Sequence, residues 1–264
     1  AATAGAVVGP PLVAWTTAGS DWAASFHVLG LFYLALAAWA TIVPLPESGA
    51  DAARPALPAR PALPAREGTL DAARRTSLLA PALFALGAIA FAYVGVENGL
   101  TLFAVPWATS GLALSESAGR TSISVFWLGL LAGRLVLVFQ RRPPGAGLLA
   151  ACGFAGTAVV CTASALARPE LVAVMGLAGL ALGPVYPVMI SLAGRRFPHA
   201  TGTAAGLVGG AGALGGFALP WLTGVVGDAA GVVTAVGVLG AFCLMIAGAA
   251  LALARQSDAG SPLP

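Results

Sequence analysis

A carboxylate inside an apolar run is the most informative feature of this chain. Glu97 stands within Leu78–Trp107, with Asn98 next to it and Tyr93 and Thr101 four residues to either side. Four-residue steps on a helix place the hydroxyl, carboxyl and hydroxyl on one face. A charged group at membrane depth costs about 3 kcal/mol on insertion scales, so it faces a cavity or a partner rather than lipid. The chemistry this offers is binding of a polar solute or of a proton. The competing reading is a structural carboxylate bonded to a neighbouring helix. In a later apolar run, Pro184 and Pro187 flank Tyr186. Proline removes a backbone donor and kinks a helix, and broken helices at membrane depth line binding cavities. Tyr186 is therefore a second candidate for ligand contact. Arg134 ends another run and suits pairing with an acid or a helix C-terminus, or snorkelling to the interface. Trp107, Trp127 and Trp221 read as aromatic anchors or cavity walls, with anchoring the default.

Enzyme chemistry has no foothold beside these groups. The chain has no lysine, hence no phosphate-cradling Gly-x-x-x-x-Gly-Lys loop. His27 and His199 lack metal-ligand spacing. Cys152, Cys161 and Cys243 fall inside apolar runs and read as small buried hydrophobes. No catalytic residue, metal or cofactor is expected. The net charge of +3 is spread too thinly for a nucleic-acid face.

The elements that position these residues follow from composition. Apolar residues make up 58% of the 264-residue chain and charged residues 9%, against roughly 25% charged in a soluble domain. So few charges cannot cover a water-soluble fold, and lipid is the natural solvent and partner. A bilayer core needs about 20 mostly apolar residues per helix. Charges and turn residues divide the chain into eight such runs: Ala1–Thr17, Trp22–Val43, Leu78–Trp107, Gly119–Phe139, Gly145–Ala167, Glu170–Ala193, Gly202–Val226 and Gly231–Ala254. The expected fold class is all-α, a polytopic membrane protein of about eight transmembrane helices. Unbroken runs of this length argue against a membrane β-barrel, whose strands alternate. The first run begins without methionine inside an apolar stretch, which suggests that helices are missing before it.

All 13 basic residues are arginine. Ten of them (Arg54, Arg60, Arg66, Arg74, Arg75, Arg141, Arg142, Arg195, Arg196 and Arg255) fall in alternate connections or the tail. The positive-inside rule makes that side cytoplasmic, with a cytoplasmic C-terminus. The expected location is the cell membrane, a bacterial inner membrane. The hydrophilic stretch before the third run repeats Arg-Pro-Ala-Leu-Pro-Ala from Arg54 and again from Arg60. It reads as a proline-rich, extended spacer between two helical bundles.

Helices in lipid pack through small residues, often spaced Gly-x-x-x-Gly. Such pairs occur as Gly5/Gly9, Gly95/Gly99, Gly129/Gly133, Gly179/Gly183, Gly202/Gly206/Gly210 and Gly212/Gly216. The second, fifth and eighth runs have none, which predicts that those three are peripheral.

The residues together resemble the last eight helices of a major facilitator superfamily transporter. Gly5-Ala6-Val7-Val8-Gly9-Pro10 is similar to the glycine-proline signature of that family's fifth helix, without the trailing glycine pair of the strict antiporter form. Gly183-Pro184-Val185-Tyr186-Pro187, with Ser191 and Arg195-Arg196-Phe197-Pro198, resembles the tenth helix of the fucose/glucose sugar-porter-like group. Thr201-Gly202-Thr203 through Gly206, then Gly215, Gly216, Pro220 and Gly224, continues like its eleventh. Tyr93-Val94-Gly95-Val96-Glu97 is similar to its seventh helix, and Gly129 to Gly133-Arg134 to the end of its eighth.

The resemblance implies a partial major-facilitator fold. Residues 1–44 would be the last two helices of an N-terminal half, 45–77 the cytoplasmic linker, 78–256 the C-terminal six-helix bundle and 257–264 a disordered tail. It implies a secondary transporter, not an enzyme, working by alternating access on a small polar solute. A sugar, moved in symport with protons, is the specific expectation. The rivals are a drug or metabolite exporter of the same superfamily and a non-transporting membrane sensor or assembly protein. The expected binding residues are Glu97, Asn98, Tyr93, Thr101 and Tyr186. Arg134, Pro184, Pro187, Gly129, Gly133, Gly206 and Gly210 are the expected gating or structural residues. The expected partners are lipid, a small-molecule substrate, protons and the missing N-terminal helices, without nucleic acid.

Overall fold

Apolar runs bounded by proline, serine and arginine give helices with defined ends in the computed structural model, which describes residues 23–42, 80–140, 143–166 and 170–258. The helices are α1 Ala23–Ile42, α2 Pro81–Leu102, α3 Glu116–Val136, α4 Ala146–Leu166, α5 Leu171–Leu182, α6 Val185–Arg196, α7 Thr201–Ala230 and α8 Val232–Asp258. No strand occurs among the described residues. Helix α1 covers the predicted second span and belongs to a unit separate from the one holding α2 to α8. The predicted first span, the proline-rich spacer and the end of the tail lie outside the described residues.

Among the described residues six helical stretches are long and apolar enough to cross a membrane: Pro81–Leu102, Glu116–Phe139, Ala146–Ala165, Ala173–Arg196, Thr201–Ala230 and Val232–Gln256. Local chemistry sets their ends. Pro81 opens α2, where its missing N–H costs nothing. Ser115 caps α3 by accepting from the Ala118 amide at 3.2 Å. Glu116 in the first turn and Arg134 in the last complement the helix dipole of α3. The third span is shorter than expected. Helix α2 stops at Leu102, and the chain continues through a short turn, Ala104–Pro106, into a π-helical turn, Trp107–Gly111.

The sixth span is broken where the two prolines predict it, between α5 and α6 at Gly183-Pro184. The most extensive helix pairs are α2 with α7, α4 with α8 and α3 with α5. In the α3–α5 crossing the backbones touch. A Cβ on Gly129 would strike the Gly176 carbonyl, and one on Gly179 the Phe126 carbonyl.

The four-residue glycine rule misses the close packing of α4 against α8. A Cβ on Gly153 would lie 2.5 Å from the Ala247 nitrogen, and one on Gly240 2.6 Å from Cys161 Sγ. Gly153/Gly156 and Gly237/Gly240 are three residues apart, so a search for four-residue spacing passes over them. These two helices are more enclosed than α3 and α7. The premise that these helices lack close glycine contacts is therefore corrected. The interface-anchor default also fails for Trp107, which is 2% exposed in the core. Its Nε1–H has no hydrogen-bond partner among the described residues. Trp221 is exposed, as an anchor would be.

Candidate functional site

Helices α2, α3, α6 and α7 enclose a cleft of about 480 Å³. Its polar lining is Tyr93 and Glu97 from α2, Arg134 from α3 and Tyr186 from α6. Trp127 adds an aromatic wall, and Ala90, Val94, Val208, Gly209, Gly212 and Ala213 make the rest apolar. The i, i+4 spacing of Tyr93 and Glu97 puts both on the α2 face that meets the cleft. The Tyr93 hydroxyl, the Glu97 carboxyl and the Arg134 guanidinium thus line the same cleft. Arg134 Nη2 donates to the Tyr93 hydroxyl at 3.1 Å. The Tyr93 and Tyr186 rings lie 6.2 Å apart between centroids, tilted by 38°. Tyr93 is buried at 1%, whereas Tyr186 is 42% exposed.

This arrangement can hold a solute between opposite charges. A carboxylate accepts, a guanidinium donates, and two phenols do either. The rings of Tyr186 and Trp127 offer flat apolar surface beside those groups.

Two expected binding residues are engaged elsewhere. Thr101 Oγ1 donates to the carbonyls of Glu97 at 2.9 Å and Asn98 at 3.2 Å, so its hydroxyl is spent on its own helix. Asn98 Nδ2 donates to the Gly216 carbonyl on α7 at 3.3 Å. Neither lines the cleft. Arg134 turns inward rather than snorkelling: besides Tyr93, its Nε donates to the Gly183 carbonyl at the end of α5, at 3.4 Å. Pro184 is buried and Pro187 half-buried at the break.

The expected glycines divide into two kinds. Gly129 and Gly133 lie in the tight α3–α5 crossing, where a Cβ on Gly133 would stand 2.5 Å from the Leu180 carbonyl. Gly206 and Gly210, with Gly202 and Gly209, have nothing within 4 Å of a Cβ position among the described residues. On α7, Gly212 and Gly216 instead meet α2, at Val94 and Asn98. Residues Val208, Gly209, Gly212 and Ala213, which floor the cleft, carry no chemical signal in the sequence.

Among the described residues no group of three or more His, Cys, Asp or Glu side chains converges as a metal site. The family model of the Major Facilitator Superfamily matches residues 1–220. No curated protein and no solved structure matches the chain.

Proposed function

Because this chain belongs to the Major Facilitator Superfamily, we propose that its cleft binds a small polar solute and passes it across the membrane by alternating access. The protein is an integral, multi-pass α-helical membrane transporter of that superfamily, not an enzyme. The carrying observation is the meeting of Glu97, Tyr93, Arg134 and Tyr186 around one cleft. A sugar suits it: hydroxyls pair with carboxylate and guanidinium, while a sugar ring lies against Tyr186 or Trp127. Glu97 is the natural proton site for symport, since its carboxyl has both Tyr93 and Arg134 to answer a change in its charge. The arginines in the last turns of α6 and α8, Arg195, Arg196 and Arg255, support a cytoplasmic face at those ends and a cytoplasmic C-terminus. A bacterial inner membrane is the proposed location, and residues 78–256 the six-helix bundle that holds the site.

A second reading has support in the same lining. Six of the eleven lining residues are alanine, valine or glycine, which suits an exporter of amphipathic drugs or metabolites.

Sealed membrane vesicles carrying the chain distinguish these readings. Labelled monosaccharides, with and without an inward proton gradient, are the first probes, and a lipophilic cation is the comparison. Gradient-driven sugar uptake abolished by Glu97→Gln supports the first reading. Extrusion of the cation with no sugar flux replaces it with the second. Ligand binding without flux of either would make the protein a sensor.

A further inference from the structure

Each proline within a helix leaves one carbonyl, four residues earlier, without its backbone donor. In lipid that carbonyl finds no water, and an unpaired one costs several kcal/mol. The partners of two such carbonyls form a pattern. Pro220 lies inside α7 and frees the carbonyl of Gly216. Asn98 Nδ2, from α2, donates to that carbonyl at 3.3 Å. Pro187 lies in the first turn of α6, but Gly183 and Pro184 before it keep helical backbone angles, so the amide that residue 187 lacks is the one that would face the Gly183 carbonyl. Arg134 Nε, from α3, donates to that one at 3.4 Å.

Glycines make both approaches feasible. Gly216 brings the α7 backbone against Asn98, since a Cβ there would lie 2.7 Å from its Nδ2. A Cβ on Gly183 would lie 3.0 Å from the Gly133 Cα and 3.3 Å from the Arg134 amide nitrogen.

We propose that Asn98 and Arg134 are positioning residues, each supplying from a neighbouring helix the donor that a proline withholds. They tie α2 to the proline site of α7 and α3 to the break between α5 and α6. Arg134 thereby joins one break to the cleft, because the same guanidinium holds the Tyr93 hydroxyl. Asn98 is a helix–helix tie rather than a ligand contact. Neither assignment depends on the identity of the solute.

Restoring the missing amide tests the idea. In Pro220→Ala, residue 220 regains an N–H for the Gly216 carbonyl, and Asn98 becomes redundant there. Pro187→Ala does the same for Arg134. The readout is amide hydrogen exchange of the full chain in lipid nanodiscs, over peptides covering 216–224 and 183–190. Asn98→Ala alone is expected to speed exchange over 216–224 about fivefold, the worth of one hydrogen bond. In the Pro220→Ala background the same substitution is expected to change it less than about twofold. Arg134→Gln, alone and with Pro187→Ala, is the independent second pair, read over 183–190. A packing role alone would not be rescued by restoring an amide. Equal effects with and without the proline, in both pairs, would overturn the proposal, as would no effect of either single substitution. If a single variant fails to fold while its double variant folds, that is the rescue the proposal requires. If neither folds, the other pair decides.

Discussion

The guanidinium of Arg134 on α3 donates to the hydroxyl of Tyr93 on α2 at 3.1 Å, joining residues 41 apart in the chain. Tyr93 is buried, so the bond operates with little competition from water. It holds Tyr93 between a cation and the Glu97 carboxyl one turn along α2. Charge at Glu97 is thus felt by Tyr93 and Arg134 together.

Neutralising Glu97 removes the anionic member of that set. Glu97→Gln keeps the side-chain size and one acceptor oxygen. Solute transport is expected to fall at least about tenfold, the scale of losing a charge-assisted hydrogen bond. Initial uptake rates in vesicles, normalised to the amount of folded protein, check this. Unchanged uptake would remove Glu97 from the mechanism.

Glycine substitutions separate contact from open surface. Alanine is favoured over glycine in a helix by about 1 kcal/mol in water. At Gly248, exposed on α8 with nothing within 4 Å, Gly248→Ala is expected to hold or raise the melting temperature. At Gly153 the new methyl meets the backbone at Ala247 and Cys243, which cannot rotate away. Overpacking of this kind costs about 1–3 kcal/mol, so Gly153→Ala is expected to melt several degrees lower. Thermal unfolding in one detergent, read side by side, decides it.

Ser164 and Arg196 each tie α8 to another helix. Ser164 Oγ donates to the Val233 carbonyl at 2.6 Å, and Arg196 Nη2 to the Leu253 carbonyl at 3.0 Å. Ser164→Ala and Arg196→Met are each expected to cost about 1 kcal/mol. The sites lie at opposite ends of α8, so the costs are expected to add in the double variant. A coupling well above the scatter of the melts would contradict this.

The thiols offer a test of enclosure. Cys152 and Cys243 are buried, and Cys161 is half-buried with its thiol towards the Gly237 carbonyl at 3.7 Å. N-ethylmaleimide reacts with an accessible thiolate. In folded protein Cys161 is expected to label first and Cys243 last, with all three labelling after denaturation. Mass spectrometry of peptides over a time course gives the order.

The sequence disclosed the helices because lipid imposes a blunt requirement. About twenty apolar residues between polar ends have few other uses, and each run from the third onward is helical, the sixth in two pieces. It disclosed Glu97, Tyr93 and Tyr186 because polar groups are conspicuous in such runs. Asn98 and Thr101 were conspicuous for the same reason, yet one bonds α7 and the other its own helix. Polarity alone does not say which way a side chain is spent. The crossing of α4 and α8 was hidden because glycines three apart serve as well as glycines four apart once the helices tilt. The apolar wall from α7 was hidden because alanine, valine and glycine look the same facing a cleft or facing lipid.

The bare stretch of α7 has a mechanical meaning. Helices ordinarily lock because side-chain ridges of one sit in grooves of the other. Gly202, Gly206, Gly209 and Gly210 present backbone where ridges would stand, with no neighbour within 4 Å among the described residues. A surface without teeth fixes no register. A helix crossing it can slip along the axis without any side chain climbing over another, so the resistance to such shear is low. The stretch further along α7, keyed to α2 through Gly212, Gly215 and Gly216, has no such freedom. The one helix is a plain bearing along its first stretch and geared along the next.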